Sequence, residues 1–463
     1  MCHLKNKAFY LISTLLLVFS FFSIFPAIVS ASPTVNSFNI PTSNAEPFNI
    51  TSGPDGNLWF TELNANKIGQ LTPLGQFTEF NIPSSNAGAN YITSGPDGNL
   101  WFTELNANKI GRITPSGVIT EFTIPSSNSA PQEITLGPDG NLWFTEGATG
   151  KLGKITPSGV ITEYAIPYSS ASPWGIVSDG GYLWFTDDNN LTIGRSTTSG
   201  VITEYPTDVH SAALTDLTVG PNDTLWYINS SITGTSLTSR FVGTYSINNG
   251  TSNLFHITSA LHLNKLVSAG DYVYATSSSP NELFRIDSSG NYVAYPLNSL
   301  SSVNGITVGP DGNLWLADSG TNQIDQFIIP PTPTLRNTTV DLGVNQTSSI
   351  NVINGINNIA PNSLTITDNP LHGNAEVVDG SLIQYTPNTN FTGIDSLTYS
   401  VCSITDINTC STATITYTIS SLAPDTGYGT PINDSSSLYY FLATLGIITI
   451  IIGAQKLSKT NDK

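Results

Sequence analysis

The sequence predicts an all-β protein, with a seven-bladed β-propeller followed by a C-terminal β-sandwich. The first observation is a repeated phrase, Gly-Pro-Asp-Gly-Asn-Leu-Trp-Phe-Thr-Glu, which begins at Gly53, Gly95 and Gly137 and returns in altered form at Gly220 and Gly309. Its interval of about 42 residues is the length of one four-stranded blade. The second observation is that this period stops at a proline cluster, after which short strands of another kind follow.

An aromatic residue marks the second strand of each repeat. The seven marks are Trp59, Trp101, Trp143, Trp184, Trp226, Tyr274 and Trp315. In the first repeat we expect strands at residues 49–52, 58–62, 67–71 and 76–83. β-Branched and aromatic residues fill these segments, while Gly, Pro, Asn and Asp fill the joints between them.

The two ends of the repeat array complement each other. The seventh repeat ends near Phe327 after its third strand, and an orphan strand at residues 35–41 precedes the first repeat. We therefore predict that the N-terminal strand completes the last blade and removes the exposed sheet edges. An open solenoid of β repeats is the alternative, although it would need no complementary half-blades at its ends.

The N-terminal segment, residues 1–31, is typical of a signal peptide. Lys5 and Lys7 precede an apolar run at residues 8–25, and a small-residue cleavage site follows at 29–31. An uncleaved anchor is the alternative because the apolar run is long. Both interpretations place the body of the protein, beginning with a propeller at residues 32–329, outside the cell.

The charge balance excludes one class of partner. The formal net charge is −18, with only 15 Lys and Arg residues in 463. Nucleic-acid binding requires a basic surface, so we expect no nucleic-acid partner. We expect a monomer whose partner is an extracellular ligand, glycan or protein.

A proline-rich linker at residues 330–334 leads to a predicted sandwich at residues 335–421. Seven short strands in about 85 residues fit a β-sandwich. Its phrases Asn-Pro-Leu-His-Gly-Asn-Ala and Phe-Thr-Gly-Ile-Asp-Ser-Leu-Thr-Tyr resemble the Ig-like or cadherin-like tandem repeats of bacterial and archaeal surface proteins. Cys402 and Cys410 lie eight positions apart in an exported domain, so we predict a disulfide between them. His372 lies in a turn, where a structural role is expected.

The C-terminus is predicted to anchor the protein. A linker at residues 422–436 precedes a transmembrane helix at 437–455, and a basic tail at 456–463 marks the cytoplasmic end. This order resembles a sortase cell-wall sorting signal, whose motif residues here are Pro424, Asp425, Thr426 and Gly427. The departure from that pattern is Ala423, where the usual motif has Leu. A plain single-pass membrane anchor is the alternative.

The propeller phrases also resemble the streptogramin B lyase (virginiamycin B lyase) family. The resemblance rests on the Gly-Pro-Asp-Gly-Asn-Leu-Trp-Phe-Thr-Glu phrase, on Asn-Lys-Ile-Gly-Arg-Ile and on Gly-Val-Ile-Thr-Glu-Phe, and it spans residues 35–328. It implies a propeller whose family members open a cyclic depsipeptide antibiotic by elimination. It also implies a His base and a magnesium ion held by acidic residues.

The residues of this chain do not carry the family's base. The positions that correspond to its inner-strand His are Phe48, Asn90, Gln132, Trp174, Thr215, Asn264 and Asn304. We place the three remaining propeller histidines, His210, His256 and His262, in outer strands or connecting segments. A general base must reach the proton that it removes, so we expect no lyase activity. A carboxylate with a raised pKa, Glu133 or Asp216, is the substitute that would reverse this expectation.

Two sets of residues are candidates for binding. The first is the predicted channel rim, formed by Asn90, Gln132, Glu133, Trp174, Asp216, Asn264 and Asn304. The second is a predicted ring of acids that could hold magnesium or calcium, formed by Glu62, Glu104, Glu146, Asp187 and Asp318. The alternative for the second set is that each acid satisfies backbone donors of the turn beside it.

These observations predict an anchored surface protein that displays a ligand-, glycan- or protein-binding propeller on an Ig-like stalk. The rival hypothesis is an enzyme acting at the channel, either a magnesium-dependent lyase or a lactonase-like hydrolase. Propellers host both kinds of function, so the fold does not separate them.

Overall fold

The computed structural model describes residues 34–207, 212–233, 236–260, 262–297, 299–356, 358–403 and 409–421. The regular structure of these residues is entirely β, as predicted. None of the described segments is a helix long and apolar enough to cross a membrane. The predicted signal peptide, sorting motif and transmembrane segment lie outside the described residues, as does His210.

Sixteen consecutive strands form four regular sheets. Sheet 1 contains β2 (Pro47–Ser52), β3 (Leu58–Glu62), β4 (Lys67–Leu71) and β5 (Phe77–Asn81). Sheet 2 contains β6 (Ala89–Ser94), β7 (Leu100–Glu104), β8 (Lys109–Ile113) and β9 (Ile119–Thr123). Sheet 3 contains β10 (Pro131–Leu136), β11 (Leu142–Glu146), β12 (Lys151–Ile155) and β13 (Ile161–Ala165). Sheet 4 contains β14 (Pro173–Asp179), β15 (Tyr182–Asp187), β16 (Thr192–Ser196) and β17 (Ile202–Pro206).

Three further sheets complete the repeat region. Sheet 5 contains β18 (Ala212–Gly220), β19 (Thr224–Thr233), β20 (Ser236–Ser246) and β21 (Ser252–His256). Sheet 6 contains β22 (His262–Ala269), β23 (Tyr272–Ser279), β24 (Asn281–Ile286) and β25 (Tyr292–Pro296). Sheet 7 contains β26 (Val303–Val308), β27 (Leu314–Asp318), β28 (Gln323–Phe327) and, from the N-terminus, β1 (Val35–Asn39).

The first strands of the seven sheets form a closed, propeller-like ring. Each first strand contacts the first strands of the two neighbouring sheets, and β2 contacts both β6 and β26. The second, third and fourth strands follow outward from each first strand by antiparallel pairing. The first strands therefore surround the centre of the ring.

The N-terminal strand closes the ring as predicted. β1 pairs antiparallel with β28, with Phe38 opposite Ile324 and Val35 opposite Phe327. The side chains add a bond from Asn36 Nδ2 to Gln326 Oε1 of 2.8 Å. Sheet 7 therefore combines residues from both ends of the repeat array.

The repeated phrase encodes the turn between the first and second strands. In sheet 1, Asp55 accepts a hydrogen bond of 3.1 Å from the indole Nε1 of Trp59, which is fully buried. Gly56 has a φ of 77°, a conformation that glycine adopts without strain. A Cβ on Gly53 would lie 2.5 Å from the Trp59 ring, so that position also requires glycine. We call the side of the ring that carries these turns the turn face.

The C-terminal residues form two facing sheets, which we call the sandwich. One sheet has the order β29 (Thr338–Gly343), β35 (Cys410–Ser420), β34 (Gly393–Cys402) and β31 (Thr365–Asp368). The other has the order β30 (Ser348–Asn351), β33 (Leu382–Pro387) and β32 (Gly373–Val378). Tyr385 and Tyr417 stack in the core at 4.0 Å between ring centroids. The predicted disulfide between Cys402 and Cys410 is present, and His372 stacks on Phe391.

Candidate functional site

The first strands carry two rows of residues at the same point of each repeat. There the pairing with the second strand shifts, for instance between Pro47 and Ile50, so two successive residues form a bulge in sheets 1–6, and Asn304 alone does so in sheet 7. The first row is Phe48, Asn90, Gln132, Trp174, Thr215, Asn264 and Asn304. The second row is Asn49, Tyr91, Glu133, Gly175, Asp216, Lys265 and Gly305. The bulge explains why β2 begins at Pro47, two residues earlier than predicted.

Threonines of the second strands join these bulges around the ring. Thr61 accepts a bond of 3.1 Å from the Asn49 amide and donates one of 2.9 Å to the carbonyl of Asn90 in the next sheet. Thr103 and Thr145 repeat this bridge to Gln132 and Trp174. The rows are therefore held in register by hydroxyl groups of buried side chains.

Three second-row side chains also bridge neighbouring sheets. Asn49 Oδ1 accepts the Ile92 amide at 3.0 Å, and Glu133 Oε2 accepts the Ile176 amide at 3.2 Å. Asp216 Oδ2 accepts the amide of Leu266 at 2.6 Å. Each carboxylate therefore keeps its second oxygen for another partner.

That other partner is Lys265, which crosses the ring. Its Nζ lies 2.6 Å from Glu133 Oε1 and also bonds to Asp216 Oδ1. Lys265 belongs to sheet 6 and Glu133 to sheet 3, and these sheets are not neighbours in the ring. The side chains of Lys265, Glu133 and Asp216 are 9 %, 12 % and 2 % exposed, so the contact lies in the interior. We call these three residues the central ion cluster.

Tyr91 of sheet 2 packs against the cluster. The Lys265 ammonium lies 4.6 Å from the centre of the Tyr91 ring, within the range of a cation–π contact. Phe48 meets Tyr91 edge to face at 6.0 Å. Burial raises the pKa of the Tyr91 hydroxyl, so the group is neutral.

The charges in the cluster depend on one another. Burial by itself would lower the pKa of Lys265, but Asp216 and Glu133 raise it above its ordinary value. Burial raises the pKa of Glu133, and Asp216 adds to that effect while Lys265 opposes it. Burial also raises the pKa of Asp216. The cluster therefore contains a firmly protonated ammonium and two acids that compete for it.

The first row is uncharged. Asn90 Nδ2 donates to Gln132 Oε1 at 3.2 Å, and both residues are buried. Asn264 Nδ2 donates to the carbonyl of Val303 at 2.8 Å, and Asn304 Nδ2 donates to Ser319 Oγ at 2.9 Å. The structure thus brings the predicted rim residues together in two rows. Glu133 and Asp216 belong to the second row, and the other five belong to the uncharged first row.

The predicted acid ring has a different arrangement. The five acids Glu62, Glu104, Glu146, Asp187 and Asp318 are all buried at the ends of the second strands of their own sheets. Among the described residues, no three His, Cys, Asp or Glu side chains gather as a metal site would require.

The two aspartates satisfy local donors, which is the alternative that the sequence left open. Asp318 accepts the amides of Ser301, Ser302 and Gly320 at 3.0–3.1 Å. Asp187 accepts the Ser172 amide at 3.0 Å.

Glu62 and Glu104 do not follow that alternative. Neither carboxyl oxygen of either residue accepts a hydrogen bond from a described donor. Burial and the adjacent Glu79 raise the pKa of Glu62 to about 8, and burial and Glu121 raise that of Glu104 to about 8. Each is therefore a neutral acid whose proton faces the carboxylate of a fourth-strand glutamate.

One predicted histidine position requires correction. His256 ends β21, the outermost strand of sheet 5, as expected. His262, however, begins β22, a first strand of the ring, and its side chain is exposed. The sequence placed it in a connecting segment because β22 begins two residues before its first-row residue Asn264, whereas β2 begins only one residue before Phe48.

The magnesium ion that the family resemblance implies does not fit the central ion cluster. The carboxylates of Glu133 and Asp216 each use one oxygen for a backbone amide and the other for the Lys265 ammonium. A divalent cation would have to displace that ammonium. Lys265 was not among the predicted site residues, nor were Asn49 and Tyr91.

The repeat region and the sandwich match two known families. The profile of the virginiamycin B lyase family matches residues 27–233 and 181–331. The profile of the bacterial Ig domain matches residues 330–418.

Solved structures agree with the first match. A streptogramin B lyase structure is 31% identical, covers 64% of this chain and 97% of its own, and has a TM-score of 0.58. Selenomethionine-substituted virginiamycin B lyase from Staphylococcus aureus is 32% identical, with coverage of 64% and 99% and a TM-score of 0.59. A catalytically inactive variant of the same enzyme with quinupristin has the same identity, coverage and TM-score.

Proposed function

The chain belongs to the virginiamycin B lyase family, and we propose that it is a surface protein whose seven-bladed propeller binds an extracellular ligand without cleaving it. The ligand is a glycan, a peptide or another protein segment that enters the centre of the ring from the side of the first row. The C-terminal bacterial Ig domain acts as a stalk, and the segment after it anchors the protein at the membrane or cell wall. The protein works as a monomer.

The observation that carries this proposal is the position of Lys265. Elimination requires a base that is free to take a proton. The two acids at the centre of the ring instead share a protonated ammonium, to which both are hydrogen-bonded. The first row, which corresponds to the family's histidine position, contains only amide, hydroxyl and aromatic side chains.

The first row supports a neutral, polar ligand. Asn264 and Asn304 are partly exposed, and so is the ring of Trp174. Amides donate and accept hydrogen bonds, and an aromatic face packs on an apolar ligand surface. This combination favours hydroxyl-bearing or peptide ligands over charged ones.

The rival proposal is a lyase or lactonase-like hydrolase, and one observation favours it. His262 is exposed at the start of a first strand, three residues before Lys265. An imidazole there is the kind of base that the related enzymes imply. The rival therefore predicts that turnover depends on His262 or on Glu133.

Binding and turnover can be separated in one experiment. The full chain is incubated with quinupristin in the presence of magnesium, and linearised product is measured by mass spectrometry. In parallel, the chain is screened on an array of neutral and acidic oligosaccharides, with Trp174→Ala and Asn304→Ala as test variants and the surface change Leu74→Ser as a matched control.

We expect intact quinupristin and an array signal that is lost in the two first-row variants and retained in the control. Magnesium-dependent linearisation that disappears in His262→Ala or Glu133→Gln would replace the binding proposal with the enzyme. An array signal that the first-row variants leave unchanged would remove the first row as the binding site.

A further inference from the structure

The third strands carry a polar residue that normally bonds to the turn of the same sheet. Gln70 Nε2 donates to Asp55 at 2.9 Å in sheet 1, and Gln326 Nε2 donates to Asp311 in sheet 7. Arg112 lies 4.0 Å from Asp97 in sheet 2. The turn aspartate thus has two partners, the tryptophan indole and this third-strand side chain.

Sheets 4 and 6 depart from this arrangement. In sheet 4 the turn is Gly180 and Gly181, and the guanidinium of Arg195 lies 4.6 Å from the centre of the Tyr182 ring. Arg285 occupies the same register, opposite Tyr274 as Arg112 lies opposite Trp101. The turn of sheet 6, however, is shortened to Gly270 and Asp271, and the position four residues before Tyr274 is a glycine. The counterpart of Asp55 is therefore missing from this sheet.

Arg285 instead reaches the sandwich. Its guanidinium lies 4.7 Å from the centre of the Tyr272 ring, and Nη1 donates a hydrogen bond to Thr409 Oγ1. Arg285 is 4 % exposed and Thr409 is fully buried, so the contact is shielded from water. A charged donor to a buried hydroxyl is stronger than the same contact at an exposed surface.

The disulfide holds Thr409 in position for this contact. Cys402 and Cys410 close the connection between β34 and β35. Within it, the Ser403 amide donates to the Thr409 carbonyl at 2.8 Å. Thr409 is adjacent to the cross-link and has little freedom to move away.

The chain leaves the ring on the same side. β28 runs toward the turn face, and the amide of Ile329 then bonds to Asn313 of the sheet 7 turn at 3.2 Å. A cavity of about 660 Å³ lies between this exit and sheet 6, lined by Tyr272, Arg285 and Pro331 among others. The linker and Arg285 therefore border one region of the turn face.

We propose that sheet 6 is the docking site for the sandwich, and that this contact holds the first row on the far side of the ring from the stalk. The first row lies near the start of the first strands, whereas the turn face lies at their ends. These are about 15–20 Å apart at the ordinary rise of a strand. A ligand would approach the ring from the side opposite the anchor.

The test is a double-mutant cycle on the full chain, read by amide hydrogen exchange. Arg285→Gln and Thr409→Val should each raise exchange at residues 409–412 about tenfold, since each removes the charged hydrogen bond. The double variant should show no further increase. Arg112→Gln, at the matched position in sheet 2, should leave exchange at residues 409–412 unchanged.

Two outcomes would overturn the proposal. Either both single variants exchange like the wild type, or their effects add in the double variant, which would mean that the two residues act separately. Thr409→Val preserves the shape of the side chain, so it tests the contact even if Arg285→Gln destabilises sheet 6. A melting curve of each variant identifies any general loss of folding.

Discussion

The centre of the ring and the outer parts of its sheets both bury carboxyl groups, but they neutralise them in opposite ways. At the centre, Glu133 and Asp216 face the ammonium of Lys265. In the sheets, Glu62 and Glu104 retain a proton and face another glutamate. The comparison teaches that the stability of a buried acid can depend on a distant cation or on its own proton. Unfolding measurements on suitable variants at different pH values separate the two cases.

The difference follows from the cations that are available near each acid. In sheet 2, Lys109 is already engaged by the fourth-strand Glu121 at 2.8 Å and by Ser84. The other cation of this sheet, Arg112, faces Asp97 of the turn, so Glu104 keeps its proton. The ring centre is shared by all seven sheets, and one lysine from sheet 6 can serve two acids there.

The largest expected effect comes from removing the central cation. Lys265→Met leaves two buried carboxyl groups without a counter-ion, which typically costs about 3–5 kcal/mol. We expect that loss in the free energy of unfolding at pH 7, measured by urea denaturation. Because both acids have raised pKa values, the loss should be smaller at pH 5. An equal loss at the two pH values would show that lost packing, not charge, causes the effect.

A smaller effect is expected from the neutral acids. The pKa of Glu104 is raised to about 8 from an ordinary value of 4.5. Between these pH values the folded protein holds a proton that the unfolded chain has lost, so stability falls as pH rises. Glu104→Gln removes that dependence. We expect it to match the wild type near pH 5 and to exceed it by up to about 4 kcal/mol at pH 9, since one pKa unit corresponds to about 1.4 kcal/mol. Parallel stability curves for the two proteins would contradict this assignment.

The central ion cluster has two acids for one lysine, and removing the charge of Glu133 provides a third measurement. Glu133→Gln leaves Asp216 and Lys265 as a one-to-one pair, and its single amide oxygen can accept from either the Ile176 amide or the Lys265 ammonium. We expect a loss of no more than about 1 kcal/mol at pH 7. A loss as large as that of Lys265→Met would mean that Glu133 is the main partner of the lysine.

The smallest effect is expected at the partly exposed pairs. The side chain of Lys109 is 25 % exposed and bonds to Glu121. Lys109→Met should lower the free energy of unfolding by about 0.5 kcal/mol, and 1 M salt should reduce that difference. If its cost approached that of Lys265→Met, the distinction between central and outer ion pairs would be lost.

The sequence predicted the elements of the fold well because the repeat is local. The second and third strands of sheet 1 occupy the predicted residues, Leu58–Glu62 and Lys67–Leu71. The closing strand was predicted because the last repeat lacks a strand and an extra strand precedes the first repeat. The disulfide was predicted because Cys402 and Cys410 lie eight positions apart in an exported domain.

The central ion cluster could be predicted only in part. Glu133 and Asp216 were named as candidates, but Lys265 lies 132 and 49 positions from them. A signal was present, since all three occupy the second row of their repeats. It was missed because only acids in this row were considered, as substitutes for the family's base, although Asn264 beside Lys265 was placed correctly. The protonation of Glu62 and Glu104 could not be predicted from the sequence either. It follows from their burial and from the lack of a described hydrogen-bond donor to their carboxyl oxygens.

The closing strand has a consequence for how the protein is made. β1 is the first strand of the ring to leave the ribosome, yet its partner β28 is among the last, and one side-chain bond between them joins residues 290 positions apart. Contacts between such distant residues form slowly, because the intervening chain must first be brought together. During synthesis β1 therefore waits without its partner while six sheets assemble behind it. We expect completion of sheet 7 to be the late, rate-limiting event of folding, and the interval before it to be the period of greatest exposure to aggregation.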